Sequence, residues 1–163
     1  RANMTIGRAL RLVLTLTGGA VPGRLDRATL GSPLKLGLCI AEAEEWDPGT
    51  VRTDRVVGDG GVGTTYRNVS RFLGRETELT YTVEEHVPPT TVALRGENAT
   101  VVAHDRMELR PAGTGTEVTY TATFEFRGVA RFLAPLLRPA LTRLGNDAER
   151  GLADALGRLA MRR

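Results

Sequence analysis

The sequence predicts an α+β domain in which a curved antiparallel sheet packs around one long C-terminal helix. Two patterns lead to this prediction: apolar and polar residues alternate through most of 51–127, and a helical apolar period follows Gly128. The strand segments follow one another too closely for helical crossovers, which favours antiparallel hairpins. A helix with one apolar face needs an apolar surface to cover it, and the inner face of the sheet supplies one.

The strands are separated by clear turn signals. Residues 58–61 read GDGG, Pro88 and Pro89 interrupt the next long strand, and residues 111–116 read PAGTGT. Gly96 falls inside a strand pattern, where glycine often marks a bulge or a bend. The predicted strands cover residues 50–57, 63–71, 75–87, 91–98, 100–110 and 117–126.

The C-terminal segment has apolar residues spaced by three or four, which is typical of an amphipathic helix. Pro135 and Pro139 restrict its first turns, so the regular helix is expected to begin near Pro139. The apolar stripe consists of Leu133, Leu137, Leu141, Leu144, Ala148, Leu152, Ala155 and Leu159.

Composition and charge exclude several classes of protein. A chain of 163 residues is most simply one domain. All but one of its 22 basic residues are arginine, Lys35 being the exception, and they are scattered among the acids, so no nucleic-acid partner is expected. This arginine bias is typical of a GC-rich bacterial genome. Cys39 is the single cysteine, which excludes an internal disulfide and a cysteine-based zinc site. The apolar runs are too short to span a bilayer, so no stable membrane insertion and a cytoplasmic location are expected.

Residues 41–160 resemble the SRPBCC superfamily, which has a START-like fold, and within it the polyketide cyclase/dehydrase and lipid-transport group. The resemblance is carried by AEEWDPGTV (43–51), GVGTTYRNVSRFLGRETELTYTVEEHVPP (61–89), GTGTEVTYTATFEF (113–126) and the C-terminal helix. It implies a single START-like domain over residues 1–163 with a helix-grip fold. It also implies a cavity between sheet and helix that takes a hydrophobic small molecule.

The N-terminal segment departs from the family pattern. Asp26 is the only acid in residues 1–41, and the sequence pattern of residues 5–39 does not show the alternating strand and two short helices with which family members begin. The segment RLVLTLT (11–17) is compatible with a strand, and RLDRATL (24–30) with a helical turn. Two explanations stay open for this atypical segment, residues 1–40: divergence, or an out-of-frame stretch in GC-rich DNA.

If strand alternation holds, one face of the sheet is apolar with a few polar groups, which is the usual makeup of a ligand pocket. A filled core would have the same composition, so both interpretations stay open. The inward set is Tyr66, Asn68, Leu79, Tyr81, Val83, Val92, Leu94, Val101, Ala103, Asp105, Met107, Val118, Tyr120, Ala122, Phe124 and Phe126, joined from the helix by Leu133, Leu137, Leu141 and Leu144.

Asp105 is the candidate catalytic residue. An inward carboxylate among apolar residues costs free energy unless it is paired, protonated or close to water. A raised pKa would allow it to act as a general acid or base. The alternative is that Asp105 lies near the wet end of its strand and bonds to Arg95 or to a backbone amide. Tyr66, Tyr81 and Tyr120 are candidate hydrogen-bond partners for a ligand.

Other motifs point to structure rather than chemistry. His86 and His104 have no second ligand at metal-binding spacing, so no metal and no cofactor are expected. Residues 58–63, GDGGVG, lie between strands and open no helix, so they predict a turn and not a phosphate-binding loop. Residues 42–51, EAEEWDPGTV, predict the solvated end of a short helix, with Trp46 plugging the core edge and Gly49 permitting a positive φ in the turn.

Three functions fit these observations. The leading hypothesis is a protein that binds a hydrophobic small molecule such as a lipid, a polyketide or an isoprenoid, as a monomer or homodimer. The alternative is an enzyme of the aromatase/cyclase or dehydratase type, with Asp105 and a tyrosine moving protons. The third is an interaction module whose helix and sheet bury one another completely.

Overall fold

A computed structural model describes residues 10–16, 40, 43–112 and 115–161 of the chain. Strand β1 and a short helix α1 precede six further strands, and helix α2 ends the described chain. The bounds are β1 Leu10–Leu16, α1 Ala43–Trp46, β2 Thr50–Val57, β3 Thr65–Phe72, β4 Arg75–Val87, β5 Thr91–Glu97, β6 Val101–Ala112, β7 Gly115–Phe126 and α2 Ala130–Met161. Within this part of the chain, no helix is long and apolar enough to cross a membrane.

The strands form one antiparallel sheet in the order β1-β7-β6-β5-β4-β3-β2. From β2 to β7 each strand pairs with the next one in sequence, which confirms the predicted antiparallel hairpins. Strand β1 pairs with β7 along its whole length, Leu12 lying opposite Tyr120. The strand suggested for residues 11–17 is therefore present, whereas the helical turn suggested for residues 24–30 lies outside the described residues.

Strand β4 has a bulge against β5, but Gly96 does not form one. Gly96 pairs in regular register with Tyr81 on one side and Ala103 on the other, so the expected bulge there is wrong. The register instead shifts between Val83 and Glu85, where β4 carries one extra residue against β5. Glycine is required at position 96 for another reason: an added Cβ would lie 2.6 Å from the Tyr81 ring.

Helix α2 begins at Ala130, so the expected start near Pro139 is wrong. Pro135 and Pro139 both lie inside the helix. The φ that a proline ring fixes is itself a helical value, so the chain can continue as a helix with one hydrogen bond missing at each proline.

Helix α2 packs against the core at Ala148 and Leu152, whereas its first turns do not. Leu152 is fully buried and Ala148 packs against the main apolar cluster. Leu133 is 54% exposed and Leu136 is 76% exposed, so the prediction that Leu133 faces the interior is wrong. The apolar spacing of α2 continues through its first turns, but burial by the sheet begins only further along the helix.

The segment EAEEWDPGTV folds as a short helix followed by a turn, as predicted. Trp46 is buried in the core cluster, and the Asp47 carboxylate accepts hydrogen bonds from Gly49 N at 2.9 Å and Thr50 Oγ1 at 2.8 Å. The expected positive φ at Gly49 is absent. Glycine suits this position because an added Cβ would lie 2.8 Å from Leu144 Cδ1.

Helix α2 and the end of α1 meet at backbone distance. A Cβ on Gly151 would collide with the carbonyl oxygen of Trp46, and it would also crowd Pro48 Cδ at 3.3 Å. Gly151 therefore allows the helix to lie directly on the turn that follows Trp46. The local sequence pattern carries no information about this partner.

Candidate functional site

The inner face of the sheet is the face that carries the main core cluster. Strand alternation places most of the inward-predicted residues correctly on this face, and their burial follows the pattern. The buried members are Tyr66, Asn68, Tyr81, Val83, Val92, Leu94, Ala103, Asp105, Met107, Val118 and Ala122, while Leu79, Val101, Tyr120, Phe124, Phe126, Leu137, Leu141 and Leu144 are half-buried.

Asp105 lies on this face, on strand β6, which pairs with β5 on one side and β7 on the other. Its carboxylate accepts a hydrogen bond from the Tyr120 hydroxyl at 2.8 Å, and the Tyr81 phenol also stabilises its ionised form. Asp105 is only 8% exposed. We call these three residues, Tyr81, Asp105 and Tyr120, the acidic cluster.

Gly96 explains how Tyr81 reaches Asp105 from two strands away. Tyr81 on β4 lies opposite Gly96 on β5, and Gly96 lies opposite Ala103 on β6. The Tyr81 ring occupies the space that a side chain at position 96 would fill. Because positions 96 and 103 are both small, the phenol can extend across β5 toward the carboxylate. Sequence reasoning placed Tyr81 and Asp105 on one face but could not foresee this reach.

The environment of Asp105 shifts its pKa upward, to about 6 from an ordinary value of 3.8. Burial is the main cause, because it penalises the charged form, and the nearby Asp47 carboxylate adds a smaller increase. Hydrogen bonds from Tyr120 and Tyr81 act in the opposite direction. Burial and the Asp105 charge raise the pKa of both tyrosines well above their ordinary value, so both phenols stay protonated.

Cations lie on the opposite face of the sheet. The expected alternative partner, Arg95, binds Glu97 in a two-pronged contact at 2.6 and 2.8 Å and not Asp105. Arg106 likewise pairs with Glu85 at 2.6 Å. Both arginines alternate with inward residues along their strands, so the pleat directs them outward. The prediction that Asp105 bonds to Arg95 is therefore wrong.

The positions that surround Asp105 on the inner face carry no charge. The residues directly opposite it are Leu94 on β5 and Ala122 on β7. The remaining neighbours, along β6 and diagonally across it, are Ala103, Met107, Val92, Gly96, Tyr120 and Phe124. Tyr120 is the one polar side chain among these eight positions.

Trp46 extends the acidic cluster on the side of helix α1. Its ring meets Tyr120 edge to face, with 6.0 Å between ring centroids. The indole Nε1 is buried and has no hydrogen-bond acceptor among the described residues. The sequence predicted that Trp46 plugs the edge of the core. The structure places Trp46 beside Tyr120, so this region also has a buried N–H donor that the sequence pattern did not reveal.

Asn68 forms a second buried polar site on the same face. Its Nδ2 donates to Thr53 Oγ1 at 2.8 Å and more weakly to Thr50 Oγ1 at 3.4 Å. Its Oδ1 accepts from Ser70 Oγ at 2.7 Å. These partners join β2 to β3, so the polar atoms of Asn68 are used within the fold.

The described residues contain no group of three or more His, Cys, Asp or Glu side chains arranged to hold a metal ion. The chemistry available at the acidic cluster is therefore that of a carboxyl group and two phenols. A carboxyl group with a pKa near 6 can exchange a proton at neutral pH, and its ionised form can bind a positively charged or hydrogen-bond-donating group.

Comparisons with known proteins agree with this architecture. A family model described as polyketide cyclase/dehydrase and lipid transport matches residues 40–161. The structure is similar to the ZhuI aromatase/cyclase from Streptomyces sp. R1128, with 13% identity, a TM-score of 0.65, and coverage of 91% of this chain and 94% of that one. It is also similar to a START superfamily protein from Mycobacterium smegmatis, with 12% identity, a TM-score of 0.63, and coverage of 93% and 96%. No curated protein matches the sequence.

Proposed function

Because the chain belongs to the polyketide cyclase/dehydrase and lipid-transport family, we propose that it binds a hydrophobic small molecule between the sheet and helix α2. The ligand is of the lipid, polyketide or isoprenoid kind, and its polar end lies at the acidic cluster. Its apolar body contacts the inner-face residues around Asp105, among them Leu94, Met107 and Phe124.

One observation carries this proposal: Asp105 is a buried carboxylate at the centre of an apolar face. Such a group costs folding free energy, because burial disfavours its charge and no cation stands at the eight surrounding positions. A neutral residue of similar size would serve packing better at this place. A role toward a ligand accounts for its presence, whereas a purely structural core does not.

Native mass spectrometry of gently purified protein tests the proposal. A co-purified small molecule, released on denaturation, is the expected result. Titration with hydrophobic probes should also change the fluorescence of Trp46, the only tryptophan of the chain, which contacts Tyr120. A protein that carries no ligand and binds no hydrophobic probe would contradict the proposal.

Catalysis by proton transfer is the second candidate, and the raised pKa of Asp105 favours it. In a cyclase or dehydratase reaction, ionised Asp105 would accept a proton from a carbon next to a ketone. Tyr120, hydrogen-bonded to the same carboxylate, would hold that carboxylate in place. Turnover of a poly-β-ketone should then be abolished by Asp105→Asn while ligand affinity is kept. Equal turnover by both proteins would exclude this role.

A further inference from the structure

The hydrogen-bonding capacity left over in the acidic cluster defines the chemistry of a matching ligand. Both phenols act on Asp105: Tyr120 donates its proton to the carboxylate at 2.8 Å, and Tyr81 favours the ionised form and so lowers the pKa of Asp105. An ionised carboxylate has about four acceptor sites, of which the two phenols occupy two. The cluster therefore offers lone pairs and a negative charge to a ligand, and it offers no free phenol proton.

The charge of Asp105 is also uncompensated by the protein, as far as the described residues show. Its eight inner-face neighbours are uncharged, and Arg95 and Arg106 are paired on the other face. Asp47, on another element, adds a smaller repulsive contribution, because it is negative too. A ligand carboxylate or phosphate would add a further negative charge to this place.

Two aromatic rings adjoin the same carboxylate, and a third packs against one of them. Tyr120 and Trp46 pack edge to face, and Tyr81 reaches the carboxylate across Gly96. A carboxylate among aromatic rings suits an alkylammonium ion, because the carboxylate pairs with its charge and ring faces attract cations. A neutral ketone fits less well, since it brings only acceptor atoms to a cluster that is already rich in acceptors.

We propose that the ligand of this protein is a hydrophobic amine whose ammonium group pairs with Asp105. This inference rests on the proposed function and narrows it to one class of polar group. It excludes fatty acids and other anionic lipids as preferred ligands.

Three probes with the same ten-carbon chain test the inference: decylamine, 1-decanol and decanoate, each below its micelle concentration. Binding is followed by Trp46 fluorescence and by calorimetry at pH 8. Decylamine is expected to bind at least about tenfold more tightly than decanol, and decanoate at least about tenfold more weakly, as one charged contact in a buried site warrants. Decanol or decanoate binding more tightly than decylamine would overturn the inference and leave the proposed function intact.

Asp105→Asn separates the charge from the shape of the site. This variant should lose the preference for decylamine over decanol, since its amide is nearly isosteric with the carboxylate but carries no charge. Glu108→Gln is the matched control, because it removes a carboxylate from the outer face of the same strand, where Glu108 lies near Arg106 and Arg110. Loss of preference in the control, or its retention in Asp105→Asn, would overturn the inference.

A pH titration of the unaltered protein gives an independent readout that does not depend on a variant folding. Decylamine stays protonated below pH 9, as a lysine side chain does. Its affinity should fall as pH drops through about 6, where Asp105 takes up a proton, while decanol affinity stays constant. The titratable groups acting on Asp105 are Tyr120 on β7, Tyr81 on β4, Asp47 before β2 and, more weakly, His104 on β6.

The outcomes distinguish the two proposals. If none of the three probes binds and no ligand co-purifies, the proposed function fails and the amine inference fails with it. If decanol binds with the same affinity as decylamine at every pH, only the amine inference fails.

Discussion

Asn68 and Asp105 are both buried polar residues on the inner face of one sheet, but they differ in what their local hydrogen bonds leave over. Asn68 is neutral, and its side-chain amide forms hydrogen bonds with Thr53, Thr50 and Ser70. Asp105 keeps its charge and free acceptor sites after two phenols have bonded to it. The comparison teaches that burial alone does not mark a functional polar residue, whereas hydrogen-bonding capacity that the protein leaves unused does.

The largest effect on stability is expected for substitution of Asn68, the residue to which the comparison assigns a purely structural role. Asn68→Ala should lower the free energy of unfolding by about 2–4 kcal/mol, because it removes a buried amide and leaves the half-buried hydroxyls of Thr53 and Ser70 without their partner. Urea denaturation followed by Trp46 fluorescence measures this loss. Ser70→Ala, which removes one peripheral bond, should cost about 1 kcal/mol. If Asn68→Ala lowered the free energy of unfolding by less than about 1 kcal/mol, the hydrogen bonds of Asn68 would contribute little to stability.

At Asp105 a substitution is expected to have the opposite effect and to raise the free energy of unfolding at neutral pH. A pKa raised from 3.8 to about 6 means that the folded state holds its proton more tightly than the unfolded state. The stability from this group is therefore complete below pH 3.8 and is lost as pH rises through 6, a loss of about 3 kcal/mol at about 1.4 kcal/mol per unit.

Asp105→Asn removes this pH-dependent loss and should therefore stabilise the protein by about 3 kcal/mol at pH 8, with little effect at pH 3.5. Urea denaturation at both pH values measures the difference, and Glu108→Gln serves as the control for removing a carboxylate. An Asn variant that is less stable than the unaltered protein at pH 8 would show that the charge is compensated.

Gly96→Ala breaks the acidic cluster without touching its polar atoms. The new Cβ would lie 2.6 Å from the Tyr81 ring, so the phenol must move away from Asp105. We expect a loss of about 1–2 kcal/mol and a further rise in the pKa of Asp105, since the bond from Tyr81 lowers that pKa. Carboxyl NMR titration measures the pKa. Tyr81→Phe should show the same rise with less steric cost, and an unchanged pKa in both variants would refute the contact.

The smallest effect is expected at Trp46. Trp46→Phe loses part of a buried ring but also removes an indole N–H that has no acceptor in the described part of the chain. These contributions oppose each other, so stability should change by less than about 1 kcal/mol. Circular dichroism during thermal unfolding measures it, because the variant lacks fluorescence from tryptophan. Trp46→Ala, which removes the whole ring, should cost about 3–5 kcal/mol by comparison.

The sequence predicted the sheet well because each strand carries a clear period of two. Alternation alone placed Asp105, Tyr120 and Tyr81 on one face, and the turn signals gave strand ends within a few residues of those observed. The family resemblance was confirmed by the match over residues 40–161.

Contacts between distant segments were beyond the reach of the sequence. Gly96 beneath Tyr81, Gly151 against the Trp46 carbonyl and Leu144 beside Gly49 each depend on a partner that the local pattern does not name. The prediction that Leu133 faces the interior was wrong for a related reason. Helical spacing indicates which residues could share a face, but not how far along the helix the sheet covers that face.

The sheet order also has a consequence for the order of folding. Every pairing from β2 to β7 joins neighbouring hairpin strands, whereas β1 pairs Leu10 with Ala122, residues 112 positions apart (122 − 10). Closing that long loop costs more chain entropy than closing any hairpin, so we expect the hairpins to form first and β1 to dock last. In pulse-labelling hydrogen exchange, the amides of β1 should gain protection after those of β4 and β5. In a newly synthesised chain, β1 would therefore stay unpaired until β7 has been made.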